Sequence, residues 1–217
     1  MRRIAIVLSV MGVAAAMTQT ASAQGPARIG VGGTLDYARM TDDESLLGDG
    51  FGGAASVRWR FTEATAVELE VGRTRHRRDF DTFAVAQDAQ GRIQPIAYTR
   101  RWEGTATFVI ASVAHTFGSG SVRPVLWGGG GLMFDGGTRR GPVVAPQPPA
   151  GFSLEPLGLA AEQGASSNAL VADGGVGVEV RVASRVSIRP FAGLRLTSAE
   201  QVGPKYIVRT GVRIGFQ

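Results

Sequence analysis

Glu68 and Glu70 are the side chains whose spacing first suggests chemistry. They stand two residues apart in a stretch that alternates apolar and polar residues. That places both carboxylates on one face of a strand, about 7 Å apart. Two carboxylates so placed suggest an acid–base pair. The preceding alternating stretch, however, carries Arg58 and Arg60 on its polar face. Enclosed charges need partners, so the glutamates are read as part of an ion-pair network. His76 and His115 are the only imidazoles. His76 opens the run His76-Arg77-Arg78-Asp79 and reads as part of a solvated basic loop. His115 is followed by Thr116-Phe117 near the end of a strand and reads as a strand-face residue, not a base. The glycine clusters at 128–131 and 174–175 lack the lysine and helix of a phosphate loop; on a curved strand they relieve crowding. Cysteine is absent, which excludes disulfides, thiolate metal sites and cysteine nucleophiles. No catalytic residue, cofactor site or metal site is expected.

The elements that position these residues follow a period of two. The polar face carries Arg58, Arg60, Glu68, Glu70, Glu179, Arg181, Arg189, Arg195, Arg209 and Arg213. The opposite face is valine-rich. Eight such strands are predicted, at 28–38, 52–61, 66–74, 102–117, 122–134, 174–182, 186–197 and 206–216. Two are less regular. In the fourth, Phe108 and Ile110 have the opposite parity from Val109, Val113 and Phe117, so either a bulge shifts the register or that pair points inward. In the fifth, Pro124, Leu126, Leu132 and Phe134 are placed outward and Arg123 inward. Connections alternate in length. Tight turns at 62–65, 118–121 and 183–185 alternate with connections of about 13, 25, 35 and 8 residues at 38–51, 76–101, 135–169 and 198–205. This alternation predicts an all-β, eight-stranded antiparallel up-and-down transmembrane β-barrel. Its interior is just wide enough to be filled by side chains.

Alternation alone does not say which face is outside. In a soluble barrel the valines would line the interior; in a membrane barrel they meet lipid and the charges pair within. The aromatic residues favour the membrane. Phe61, Phe117 and Phe216 fall at the short-turn ends, and Tyr37, Trp102 and Tyr206 at the long-loop ends, all placed on the apolar face. Two rings of aromatics resemble interfacial girdles.

Residues 1–23 form a signal peptide by pattern. Arg2 and Arg3 precede an apolar stretch at 4–17, and Ala21-Ser22-Ala23 is a cleavage site. Export is therefore expected, with a mature domain of 24–217. No later stretch offers about 18 unbroken apolar residues, so no spanning helix is predicted. The formal charge of +5 is spread along the chain and forms no nucleic-acid patch. Arg77, Arg78, Arg100, Arg101, Arg139 and Arg140 sit near the bases of the long loops. Contacts with lipopolysaccharide phosphates would give them a use, and ordinary solvated charges explain them equally.

The run Ala111-Ser112-Val113-Ala114-His115-Thr116-Phe117, the Gly-Ser turn, Arg123-Pro124 and the glycines at 128–131 resemble the centre of small bacterial outer-membrane β-barrel proteins of the opacity-type and OmpA-like kind. The stretch 176–190 and the ending 208–216 are similar, so the resemblance covers most of the mature chain. It is specific for fold, not activity. It implies an outer-membrane location, periplasmic termini, a lipid and lipopolysaccharide environment, and a final aromatic read by the barrel-insertion machinery. Here that aromatic, Phe216, is followed by Gln217. Lipid A deacylases on such barrels need a serine two residues after the histidine, which His115 lacks. The expected role is non-enzymatic: structural or surface-exposed, with loop contacts to a partner the residues do not name. A small-solute pore and a soluble periplasmic ligand-binding barrel are the alternatives.

Overall fold

A computed structural model describes residues 28–40, 49–142, 147–154, 162–163, 167–199 and 203–216. The leader and its cleavage site lie outside the described residues. The strands are β1 (Arg28–Met40), β2 (Asp49–Arg60), β3 (Thr65–Asp88), β4 (Ile93–Thr116), β5 (Val122–Pro142), β6 (Phe152–Leu154), β7 (Glu162–Gln163), β8 (Ser167–Ala183), β9 (Val186–Ala199) and β10 (Gly203–Phe216). Strands β1 to β5 and β8 to β10 each pair antiparallel with their neighbours in the barrel order. β10 returns to β1, from Val31 opposite Phe216 to Met40 opposite Ile207, and closes the cylinder. The chain thus folds as an eight-stranded antiparallel up-and-down barrel of the transmembrane type. Closure removes every sheet edge within the wall. β6 and β7 are short additions outside it, on the far ends of β3 and β5.

Alternation explains which face goes where. Leu35 is 74% exposed and Leu126 51%, whereas Glu68 and Glu179 are each 1% exposed. Aliphatic side chains form the exterior and ionised ones the interior. The doubtful register of β4 resolves without a bulge in its lower half. Phe108 and Ile110 point inward, and burial alternates without a break from Trp102 to Thr116. The one irregularity in its pairing with β5 falls between Gly104 and Ala106. Arg123 faces in, while Leu126, Leu132 and Phe134 face out.

Inside, charge shares the bore with two apolar clusters. Phe108, Ile110, Met133, Ala106, Ala169 and Val171 form one, with Ala54 against it. Ala114, Val125 and Trp127 form the other, with Phe191 packed edge-on to Trp127 at 5.5 Å. Glycine makes room for the largest of these rings. A Cβ on Gly72 would stand 2.5 Å from Cζ of Phe108 and 2.6 Å from Cβ of Ala54, so glycine makes room for that ring beside β3.

One expectation needs correction. The segment 76–101, predicted as a loop of about 25 residues, is strand over most of its length. β3 runs to Asp88 and β4 starts at Ile93, so the pair rises past the wall as a hairpin. β2 stops pairing at Asp49 opposite Arg77. From Arg77 to Asp88 the hairpin extends about 36 Å at ordinary strand rise. Its turn is built by Asp88, whose Oδ1 accepts the N–H groups of Gln90 at 3.0 Å and Arg92 at 2.8 Å, and by Gly91 at φ 79°. Polar cross-strand pairs hold the shaft: Arg101 Nε donates to Asp79 at 2.7 Å and the Thr99 hydroxyl to Asp81 at 2.9 Å. Consequently His76, read as a loop residue, is a buried inward residue of β3.

Asp79 offers a check on this shaft. Hydrogen bonds from Arg101 and then Arg77 hold its carboxyl well below the usual carboxylate range. A depressed carboxylate stabilises the hairpin above its unfolded pKa of about 3.9 and loses that contribution as pH falls through the folded value. Carboxyl-carbon titration is expected to place Asp79 below a free aspartate, and Arg101→Gln to move it back up. A midpoint unchanged by Arg101→Gln would refute the cross-strand pair.

Candidate functional site

The bore is the most elaborate constellation in the molecule. It is built from inward positions on seven strands. Two tiers are distinguishable. The tier nearer the short turns centres on Glu68 of β3 and Glu179 of β8. Arg58 of β2 spans them, with Nε 3.1 Å from Glu68 and Nη1 2.6 Å from Glu179. Arg189 of β9 does the same, at 3.1 Å to each. Arg123 of β5 closes on Glu179. The other tier centres on Glu70, Asp173 and Asp36. Arg209 of β10 reaches all three, at 2.6 Å to Asp36, 2.8 Å to Asp173 and 3.3 Å to Glu70. Arg195 adds an ion pair with Asp173 at 3.1 Å, and Trp127 Nε1 donates to the same carboxylate at 3.3 Å. Arg213 joins the tiers by binding both Glu68 and Glu70, while its Nε donates to the Thr34 hydroxyl at 3.0 Å.

The network has a cation–π floor. The Arg195 guanidinium lies 4.0 Å from the centroid of Phe108 and that of Arg209 5.7 Å away. Stacking of this kind answers the face of a planar cation; along its edge Arg195 donates from Nε to Asp173 at 3.1 Å, while Nη2 comes only within 3.9 Å of Glu70. A small void lined by Ser56, Arg58, Glu68, Ser187, Arg189 and Arg213 has a volume of about 20 Å³, room for one water. Each carboxylate at the centre of a tier is held by guanidinium groups. None stands free as a general acid or base. Among the described residues no group of histidine and carboxylate side chains is disposed to hold a metal.

The predicted residues are distributed as follows. Arg58, Glu68, Glu70, Glu179, Arg189, Arg195, Arg209 and Arg213 come together in the bore. Arg60 is half-buried toward the short-turn end. Arg181 does not join them: it is exposed beside a register shift between Arg181 and Ala183, at the end of β8. Partners also differ from the expected neighbour pairs. Glu68 does meet Arg58 of the adjacent strand, yet most contacts cross the bore, as between Arg58 and Glu179, 121 residues apart. Asp36 and Asp173 were missed. Asp36 lies on the polar side of β1, and Asp173 shares the parity of Glu179. Parity was the signal for both, but the predicted strand began one residue after Asp173.

The aromatic belts are redrawn at one position. Trp102 is 8% exposed and faces inward, packed edge-on against Phe80 at 5.4 Å. It shares the parity of Phe108 and Ile110, and once those turn inward Trp102 must follow. Tyr37, Phe61, Phe117, Tyr206 and Phe216 have outward parity. Tyr37 donates its hydroxyl to Asp49 and packs on Phe51 at 5.0 Å; Phe61 stacks on Trp59 at 5.3 Å. Trp59 and Phe134, on the apolar face as their parity predicts, join them outside, and so does Phe51, one residue before the predicted strand. His115 is exposed, 3.0 Å from the Thr65 hydroxyl and edge-on to Phe117. Of the loop-base arginines, Arg77 and Arg101 face outward, Arg78 and Arg100 are half-buried, and the side chains of Arg139 and Arg140 lie outside the described residues.

An apolar exterior, a charged interior and complete closure define the class: a transmembrane-type β-barrel with a filled bore. No protein-family model and no curated protein matches the chain. Among solved structures it is similar to the N-terminal β-barrel domain of Pseudomonas aeruginosa OprF, at 15% identity and TM-score 0.43, covering 88% of this chain and 100% of that one. It is also similar to Neisserial surface protein A, at 16% identity and TM-score 0.45, covering 88% and 99%. A third is a major outer membrane protein from Thermus thermophilus, at 12% identity and TM-score 0.47, covering 86% and 99%.

Proposed function

We propose that this protein is an integral outer-membrane barrel with a non-enzymatic role, structural and surface-exposed. Its short turns and barrel termini lie on the periplasmic side, and its β3–β4 hairpin projects outward. One observation carries the reading: the inversion of burial. Leucines, isoleucines and valines are exposed on β1, β2, β3, β5, β8, β9 and β10, while Glu68, Glu70, Glu179, Arg123, Arg189, Arg195 and Arg209 are buried. In water such an exterior is an aggregation surface. In hydrocarbon it is matched to its solvent, and the closed wall offers no free sheet edge to the lipid. A soluble ligand-binding barrel would need the opposite arrangement, an aliphatic interior able to receive a guest. Lipid and lipopolysaccharide are then the partners of the wall. β10, ending on Phe216, is the strand the insertion machinery would engage.

Cell fractionation tests the placement. The mature protein is expected in the outer-membrane fraction, with a mobility difference between unheated and boiled samples in detergent. Recovery from the aqueous periplasm would end the membrane reading. The ion pairs that cross the bore argue against an open pore. Planar-bilayer recordings of the purified protein are expected to contain no current steps above background; steady unitary conductance would overturn the sealed bore.

A further inference from the structure

The apolar wall ends abruptly on the outer faces of β3 and β4. Val71 opposite Val109 is the last aliphatic pair of the wall, and exposed apolar side chains return on this face only at Phe83 and Val85, near the hairpin tip. The next outward positions are Arg73 opposite Thr107 and Arg75 opposite Thr105. Both arginines are exposed. Arg73 Nη2 donates to the Thr105 hydroxyl at 3.2 Å, and no carboxylate pairs with it among the described residues. Arg75 meets Glu103 at 3.3 Å, but its side chain remains 71% exposed. Farther along the hairpin the charges balance, since Asp79 takes both Arg77 and Arg101. The lipid boundary therefore carries two guanidiniums and two hydroxyls with little anion to answer them. Aromatic rings flank the group. Phe51 is opposite Arg75 across β2, and Phe134 is opposite Thr107 across β5, both exposed.

A guanidinium at the edge of hydrocarbon is stable when an anion meets it. Its fork matches phosphate oxygens in a bidentate way. Arginines at i and i+2 on one strand face lie about 7 Å apart, enough to grip one phosphate from two sides. The exposed rings offer apolar walls to the faces of sugar rings. We propose that Arg73 and Arg75, with Thr105 and Thr107, form an external site for the phosphorylated sugar headgroup of an outer-leaflet glycolipid. This rests on the membrane placement proposed above, with the hairpin end outward.

The test uses the full-length folded protein in detergent micelles, with bisphosphorylated lipid A as the probe and native mass spectrometry as the readout. Arg73→Ser with Arg75→Ser is expected to weaken lipid A binding about tenfold or more. Arg185→Gln, an exposed arginine in the short turn between β8 and β9 at the opposite end of the barrel, should leave it unchanged. Dephosphorylated lipid A should bind the wild type as weakly as intact lipid A binds the double variant, and millimolar inorganic phosphate should not displace the lipid. Equal binding by wild type and double variant would overturn the site, as would displacement by inorganic phosphate, which would make it a free-anion site. If the serine variant lacks the folded gel band, Arg73→Lys with Arg75→Lys decides: it keeps charge but loses the fork, and undiminished binding there also overturns the proposal. Failure of the wild type to enter membranes would refute the placement itself. Normal insertion with equal lipid binding by both forms would refute only the headgroup site.

Discussion

Replacing Glu68 and Glu70 together by alanine is expected to lower the unfolding free energy by about 5 kcal/mol or more. Breaking one buried ion pair from one side typically costs about 3–5 kcal/mol, because the remaining charge is left buried and unanswered. Here the double substitution strips several cations at once. Arg213 binds both glutamates, and its other described contact is the Thr34 hydroxyl. Arg189 and Arg58 would retain only Glu179 among the carboxylates described around them. Urea unfolding in micelles, followed by the combined fluorescence of Trp59, Trp102 and Trp127, measures the loss. The exposed pair of Arg75 and Glu103 provides the contrast: Glu103→Ala should change stability by about 0–1 kcal/mol. Equal small effects from both would mean that the ionised face is in water.

Val176→Arg is expected to destabilise the membrane-inserted barrel by about 2–4 kcal/mol. Val176 is exposed on β8, opposite Leu126 of β5 and Ala192 of β9, midway along the wall. Arginine near the bilayer midplane carries that penalty in lipid-facing positions. On a water-facing surface the same change stays within about 0.5 kcal/mol. Refolding into lipid vesicles, with the fraction reaching the compact gel band as the measure, separates the two. Full refolding of Val176→Arg would show that the valine-rich face does not touch hydrocarbon.

Much of this architecture was legible because lipid imposes a strict rule. Every wall residue faces either hydrocarbon or the bore, so alternation survives in the sequence and assigns Glu68, Glu179 and Arg209 to one side. The rule lapses where lipid ends. Above Arg77 both faces of the β3–β4 hairpin are free to carry polar groups, the alternation fades, and strands held by Asp79–Arg101 and Asp81–Thr99 pairs looked like loop. Trp102 was misplaced for a related reason: its ring was assigned by its place at a strand end, not by counting parity from Phe108. The partners inside the bore were illegible for geometric reasons. Parity says that Arg58 and Glu179 both point inward, but only the curvature of the wall brings them face to face. The outward Arg73 and Arg75 were visible as charges, but their position at the lipid boundary depends on how far the wall extends.

The seam between β1 and β10 has a consequence for how this molecule comes to exist. Arg209 and Asp36, which meet across that seam, are 173 residues apart in the chain. A contact of such long separation closes a large loop, whose entropy must be met before the contact stabilises anything. Until then the carboxylates of β1 and β3 lack the cations that β10 brings, and they hold on to their water. An unfinished sheet is thus kept hydrated by its own unmet charges, and it dries only at the moment the ring is sealed.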